Sequence, residues 1–221
     1  MALNITKGNM YEFITHTWNT VKGQCYHDCS YCYMKRWGKL NPVRFDNKEL
    51  KTDLGNGNFI FVGSSCDMWA DNIPDEWIFK TLSHCNKFNN SYFFQTKNPR
   101  NIRRILVPNS HICVTIETNR FYPQYMGFSP NPMLRAEEAA LIRYPLHITI
   151  EPIMDFDLIE FAQMILYCCP AQVNIGADTG RHNLPEPEPE KLLRLIAYLQ
   201  SKNITVHLKP NLKRLLKPVN N

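Results

Sequence analysis

The chain has 221 residues, with 25 lysines and arginines against 20 aspartates and glutamates and a formal net charge of +5. That length allows one domain with a sizeable core, and a 44% hydrophobic share is ordinary for a globular protein. No apolar run approaches the roughly 20 residues needed to cross a bilayer, and Met1-Ala2-Leu3-Asn4 leads into polar residues. The expectation is a cytoplasmic protein without membrane span or signal peptide.

Eight cysteines in a chain this long do not form a disulfide-scaffold pattern. Three are clustered, and Cys66, Cys85, Cys113, Cys168 and Cys169 are scattered in apolar contexts, as expected of free buried thiols in a reducing compartment. The positive charge gathers at the C-terminal end, in Lys209, Lys213, Arg214 and Lys217, with no acid after Glu190. Such an end is either a solvated basic face or a contact for nucleic-acid phosphates.

Taken in order, apolar and aromatic runs alternate with helical patterns. A strand over Tyr11–His16 leads through Thr17-Trp18-Asn19-Thr20 to the clustered cysteines, and a helix covers Ser30 to about Gly38. A strand over Phe59–Gly63 precedes a helix that starts near Pro74-Asp75-Glu76, where proline and acids suit a first turn, and runs to about Phe88. Further strands read as Ser91–Thr96, His111–Ile116, Leu146–Ile150, Gln172–Ile175 and Thr205–Leu208. Helices are expected over about Asn101–Leu106, Met133–Arg143, Leu158–Tyr167, from the proline-acid run at 185–190 to about Lys202, and Leu212–Leu216. The β-α alternation implies an α/β fold with a parallel sheet and helices outside. Runs such as Phe59-Ile60-Phe61-Val62 suit strands buried on both faces. Six repeats fit a partial (β/α)6 TIM-type barrel, in one domain over 1–221 with a short basic segment from about 209. An open flavodoxin-like sheet is the alternative.

Cys25, Cys29 and Cys32 stand in Gly23-Gln24-Cys25-Tyr26-His27-Asp28-Cys29-Ser30-Tyr31-Cys32-Tyr33, spaced C-x3-C-x2-C. Three thiolates on one loop can ligate three corners of a four-iron cluster and leave one iron open for a small molecule, whereas a fully ligated cluster mainly carries electrons. A second reading is zinc held by these cysteines and His27. Zinc sites usually come as paired C-x2-C modules, and only one x2 gap is present here.

This spacing, with aromatic Tyr31 before the third cysteine, resembles the signature of the radical S-adenosylmethionine enzymes. The resemblance implies a 4Fe-4S cluster on Cys25, Cys29 and Cys32, with S-adenosylmethionine (AdoMet) chelated at the open iron. It also implies reductive cleavage of AdoMet to a 5′-deoxyadenosyl radical and a reductant such as flavodoxin or ferredoxin. The partial (β/α)6 barrel is the usual fold of that superfamily.

In parallel α/β folds function gathers at the C-terminal ends of strands. Polar residues recur there: Ser64, Ser65 and Cys66 after the second strand, Lys97 after the third, then Thr115, Glu117 and Thr118, then Glu151, and then Asp178. With Tyr31 they are the candidates for AdoMet contacts. Ser65 and Lys97 suit its carboxylate, and Glu117 or Thr118 its ribose or ammonium. Singly, a serine, threonine, aspartate or asparagine after a strand reads equally as a cap of the next helix, but a lysine has no capping role. Cys66 is either a hydrogen-atom donor to a substrate radical or a small buried hydrophobe.

Along most of its length the chain resembles phage- and bacterium-encoded radical-AdoMet-like proteins distantly similar to spore photoproduct lyase. The resembling segments are Thr17-Trp18-Asn19, Phe61-Val62-Gly63-Ser64-Ser65-Cys66-Asp67, Phe94-Gln95-Thr96-Lys97-Asn98-Pro99, Val114-Thr115-Ile116-Glu117-Thr118-Asn119, Ile150-Glu151-Pro152 and Ile175-Gly176-Ala177-Asp178. In that branch a serine after the second strand and a lysine after the third contact the AdoMet carboxylate, which lands on Ser65 and Lys97. The chain departs from the lyase in being shorter, in lacking a lesion-binding extension, and in offering Gly63-Ser64-Ser65 where Gly-Gly-Glu is typical. The implied substrate is a nucleic acid or nucleotide, without the lyase's own repair reaction. Two rival classes stay open: a non-enzymatic iron–sulfur redox or sensor protein, and a zinc-stabilised nucleic-acid-binding module.

Overall fold

A computed structural model describes residues 3–6, 10–102 and 107–216. In chain order the strands are β1 (Asn4–Ile5), β2 (His16–Trp18), β3 (Val21–Lys22), β4 (Arg44–Phe45), β5 (Phe59–Val62), β6 (Ser91–Thr96), β7 (Ser110–Thr115), β8 (Leu146–Ile150), β9 (Gln172–Ile175) and β10 (Thr205–Leu208). The α-helices are α1 (Asp75–Cys85), α2 (Pro99–Ile102), α3 (Pro123–Met126), α4 (Pro132–Ala139), α5 (Leu158–Tyr167) and α6 (Pro189–Ser201). One eight-stranded sheet runs β1-β2-β5-β6-β7-β8-β9-β10, and β3 and β4 form a separate two-stranded antiparallel sheet. β1 is antiparallel to β2, while every pairing from β2 to β10 is parallel. This is the expected α/β barrel-type sheet in one domain.

Strand side chains alternate between two faces, and the two faces differ here. Ile60, Val62, Tyr92, Phe94, Ile112, Val114, Ile148, Ile150, Val173 and Ile175 share one core with Leu192, Leu195, Ile196 and Leu199 of α6 and with Phe161 and Ile165 of α5. The α6 leucines and isoleucine recur at helical spacing, which turns that face onto the sheet. Each such side chain contributes about 1.5–3 kcal/mol when fully buried. The opposite face carries Phe61, Phe93 and Cys113, buried with Tyr11 and Ile14, and continues through Gln95, Thr115, Thr149 and Asn174.

The first strand is displaced from its expected place. Residues 11–15 lie outside the sheet strands, with Ile14 N donating to Tyr11 O at 3.0 Å. The Tyr11 and Phe13 rings stack at 5.5 Å, and Tyr11 meets Phe93 at 5.0 Å. The aromatic pattern that reads as a strand is thus a cover over the sheet's inner face. The helix expected over Ser30–Gly38 is a 3-10 helix, Tyr33–Trp37, and the last expected helix is a 3-10 helix at Pro210–Arg214. The third expected helix is shifted to α2, and residues 103–106 lie outside the described residues. Cys168 is buried, as expected at that helix end, but Cys169 is exposed, and its φ of 49° turns the chain out of α5.

Candidate active site

The three motif cysteines lie on the loop after β3. Asp28 N donates to Cys25 O and Cys32 N to Cys29 O, each at 3.2 Å, so two tight turns hold the thiols on one short stretch. Asp28 occupies the left-handed region at φ 49°, which aspartate tolerates better than most residues. The segment around α3 clamps the loop from outside: Ser30 N donates to Tyr125 O at 2.8 Å and Phe128 N to His27 O at 2.8 Å. Gly127, at φ 59°, makes this approach possible, because a Cβ there would lie 2.1 Å from His27 O. Cys29 is buried and its Sγ donates to Met126 O at 3.4 Å.

Cys66, after β5, hydrogen-bonds to Cys25 across the loop. The Cys66 thiol acts to lower Cys25, while contact with Cys25 and burial push Cys66 up. Burial raises Cys32.

Asp67 ties this loop to the sheet. Its Oδ2 accepts from His27 Nε2 at 2.8 Å, from Thr96 Oγ1 at 2.9 Å and from Lys97 N at 2.9 Å, and its Oδ1 accepts from Trp69 N at 2.9 Å. Burial acts to raise the Asp67 carboxyl, but the His27 bond and the two amides outweigh it and hold the carboxyl below its ordinary value. His27 is buried, and its Nδ1 has no hydrogen-bond partner.

Glu117, just past β7, is the centre of a second network. Lys97 Nζ bonds its Oε1, Tyr31 Oη donates to the same oxygen at 2.5 Å, and Arg135 Nη1 donates to Oε2 at 2.7 Å. Lys97 Nζ also lies 3.0 Å from Tyr31 Oη and 4.9 Å from the centre of its ring. Burial opposes the Glu117 charge, yet Arg135 and Lys97 outweigh it and bring the carboxyl down to about 2. Burial and the Glu117 charge keep Tyr31 protonated, so it remains a donor. Glu117 and Arg135 are fully buried and the Lys97 side chain is 16% exposed. Two cations thus face one carboxylate at the edge of the thiol loop.

The other expected contacts are distributed differently. Ser64 Oγ lies 3.2 Å from Asn19 Oδ1, which also accepts from Ser65 N at 3.0 Å, so Asn19 fixes the turn after β5. Thr115 joins the Glu117 network through its backbone, as its O accepts from Arg135 Nη1 at 2.6 Å, while its Oγ1 accepts from Gln95 Nε2 at 3.0 Å. Thr118 closes a local turn: its Oγ1 donates to Asp155 O at 2.7 Å and accepts from Arg120 N at 3.0 Å. Glu151 is paired with Lys209 at 2.5 Å and accepts from Asn211 Nδ2 at 2.8 Å. Gly176 leaves room for it, since a Cβ there would lie 2.6 Å from Glu151 Oε1. Asp178 accepts from Gly180 N at 3.0 Å and pairs with His182 Nδ1 at 2.7 Å. Tyr31, Lys97 and Glu117 therefore meet in one network, whereas Thr118, Glu151 and Asp178 are engaged in separate ones.

Arg135 was not among the expected residues. Its signal is its position, because Pro132, Arg135, Ala136 and Ala139 are the buried face of α4, and a cation on an apolar face needs a buried counter-ion. His27 and Asp67 lie inside the expected motifs, but only their contact assigns them a part. Two residues of the basic C-terminal end are turned to internal use: Lys209 is buried on Glu151, and Arg214 pairs with Glu186. Lys217 lies outside the described residues.

The donor set fits a 4Fe-4S cluster: three free thiols on one short loop, beside a buried network of Lys97, Arg135 and Glu117. Among the described residues no three His, Cys, Asp or Glu side chains converge on one ion position, and His27 Nε2 is engaged by Asp67.

No protein-family model and no curated protein matches the chain. Among solved structures it is similar to a spore photoproduct lyase variant with bound AdoMet and dinucleoside spore photoproduct, at TM-score 0.60 and 11% identity over 91% of this chain and 78% of that one. It is also similar to a lyase variant with dinucleoside spore photoproduct, at TM-score 0.58 and 12% identity over 94% of this chain and 80% of that one. The chain therefore has a radical-AdoMet-like fold, with a partial barrel of the kind found in spore photoproduct lyase.

Proposed function

We propose that the chain is a radical AdoMet enzyme. Cys25, Cys29 and Cys32 would hold a 4Fe-4S cluster, and AdoMet would bind between that cluster and the strand ends of β5, β6 and β7. A cluster held there would pass one electron, taken from an external one-electron reductant, to AdoMet, whose 5′ C–S bond would part into methionine and the 5′-deoxyadenosyl radical. The observation that carries this reading is the buried group of Lys97, Arg135 and Glu117 beside the thiol loop. Two buried cations against one carboxylate favour a second carboxylate, because buried charges are stable only when paired. The AdoMet carboxylate meets that need, with Lys97, the more accessible cation, as its partner.

The chain's own residues perform the rest. Asp67 and His27 hold the loop against β6, so that Lys97 and the thiols keep one register. Tyr31 and Arg135 fix Glu117 and exclude water from it. The aromatic wall of Phe59, Phe61 and Phe93, capped by Tyr11 and Phe13, closes one side of the inner face. The substrate class we assign is a nucleic acid or nucleotide. Its support is the similar solved structure, a spore photoproduct lyase variant with a bound dinucleoside spore photoproduct. No helix among the described residues is long and apolar enough to cross a membrane.

Anaerobically reconstituted protein, given dithionite and AdoMet, is expected to release 5′-deoxyadenosine, and Cys25→Ala, Cys29→Ala and Cys32→Ala variants are expected to release none. A fully loaded cluster that yields no 5′-deoxyadenosine would leave the non-enzymatic iron–sulfur reading in its place.

A further inference from the structure

An exposed, acid-free basic stretch begins at the cysteine loop. From Cys29 to Phe45 the chain carries Lys35, Arg36, Lys39 and Arg44 and no aspartate or glutamate. All side chains from Lys35 to Lys39 are exposed. Trp37 is 69% and Tyr33 50% exposed, an unusual placement for large aromatic rings. The Arg36 guanidinium lies 5.6 Å from the centre of the Tyr33 ring and 5.0 Å from that of Trp37, so cation and rings form one patch. Lys35 alone has an acidic partner there, Asp28 at 2.7 Å.

The patch is joined directly to the thiols. Lys35 N donates to Cys32 O at 2.9 Å, and Tyr33 Oη donates to Ser64 O at 2.7 Å, two residues from Cys66. It also faces the other way from the Glu117 network. Cys29 and Tyr31 turn inward to Met126 and Glu117, whereas residues 35–39 turn to solvent. A molecule on this patch meets exposed side chains next to Cys32, whereas Lys97 is largely buried on Glu117. A substrate attacked at the strand ends needs the inner side. The occupant therefore serves the electron supply of the loop and not the radical.

We propose that Arg36, Trp37 and Lys39 form the docking surface for an acidic one-electron carrier protein. This rests on the cluster reading above. One electron leaves the carrier and one enters the oxidised cluster, with no bond made or broken. Charge opposition speeds the encounter, and the central aromatic ring supplies the desolvated contact.

The test compares reconstituted wild type with Arg36→Glu/Lys39→Glu and with Trp37→Ala, following the visible absorbance of the cluster under photoreduced flavodoxin and, separately, under dithionite. The substituted side chains are exposed, so all three proteins are expected to load cluster equally. Flavodoxin is expected to reduce wild type on the order of 10-fold faster than the charge-reversed variant at low salt, with the gap closing as salt rises. Dithionite should reduce both at one rate. Calorimetric titration of flavodoxin into each protein should show the same order of affinity without any turnover. Equal reduction of wild type and variant by flavodoxin at low salt overturns the docking surface and leaves the cluster reading intact. Tighter binding of a single-stranded oligonucleotide than of flavodoxin through Arg36 and Lys39 also overturns it. Failure of wild type to develop an iron–sulfur chromophore defeats both readings.

Discussion

Two polar groups stand at the strand ends, and their charge balance differs. Beside the thiol loop, Lys97 and Arg135 share the single carboxylate of Glu117. Across the sheet, Glu151 faces one cation, Lys209, and the amide of Asn211. Both groups are largely buried and both sit where an α/β barrel places its chemistry. Counted over Lys97, Arg135 and Glu117 the first has one cation more than carboxylates, while among the described residues the second sets one lysine against one carboxylate. An unbalanced buried group is an invitation to a ligand of opposite charge, and a balanced one is a joint that holds the sheet.

The sharpest way to break this comparison is Arg135→Leu. It leaves Glu117 buried with one cation fewer and frees the carbonyls of Thr115 and Pro130, so unfolding in urea should show a loss of roughly 3–5 kcal/mol. Acid should act on the same group. The folded-state carboxyl of Glu117 is depressed, so its contribution is complete above its ordinary 4.5 and is lost as pH falls through about 2. Urea midpoints measured across that window should fall steeply in wild type and less steeply in Glu117→Gln.

Substitutions of the two lysines separate ligand binding from stability. Lys97→Met should weaken AdoMet binding to the cluster-loaded protein by about 10- to 100-fold, the value of roughly 1.5–3 kcal/mol for a charge-assisted hydrogen bond, as read by calorimetry. Lys209→Met should leave that affinity unchanged and cost about 1–3 kcal/mol of stability, because Glu151 loses its partner. If Lys209→Met impairs AdoMet binding as strongly as Lys97→Met, the contrast between the two groups is wrong. The smallest effect belongs to the exposed i,i+4 pair of Glu76 and Lys80. Glu76→Gln should change stability by less than about 0.5 kcal/mol.

Much of this was legible in the chain, though unevenly. α5 matches its expected range, as do β6, β8, β9 and β10. Their side chains repeat with the period of the element, and that signal is local. Tyr11 to Thr15 misled for the same reason: alternating aromatic residues look alike whether they lie in a sheet or on one. The loop after β7 was legible only in part. Nothing local says that Gly127 must be bare for the backbone of His27 to pass, and nothing announces that Arg135, eighteen residues from Glu117 along the chain, ends beside it.

What the sequence by itself determined was the cysteine spacing, the α/β alternation and the polar residues at the strand ends, because each rests on neighbours within a few positions. Only the tertiary structure decided which of those polar residues share one charge balance. It joined Tyr31, Lys97 and Glu117 to an unforeseen arginine, set Glu151 apart with Lys209, and turned Arg36 and Trp37 outward. Coulomb interactions in a buried site depend on distance through space and on what water is excluded, and neither is written in the order of residues.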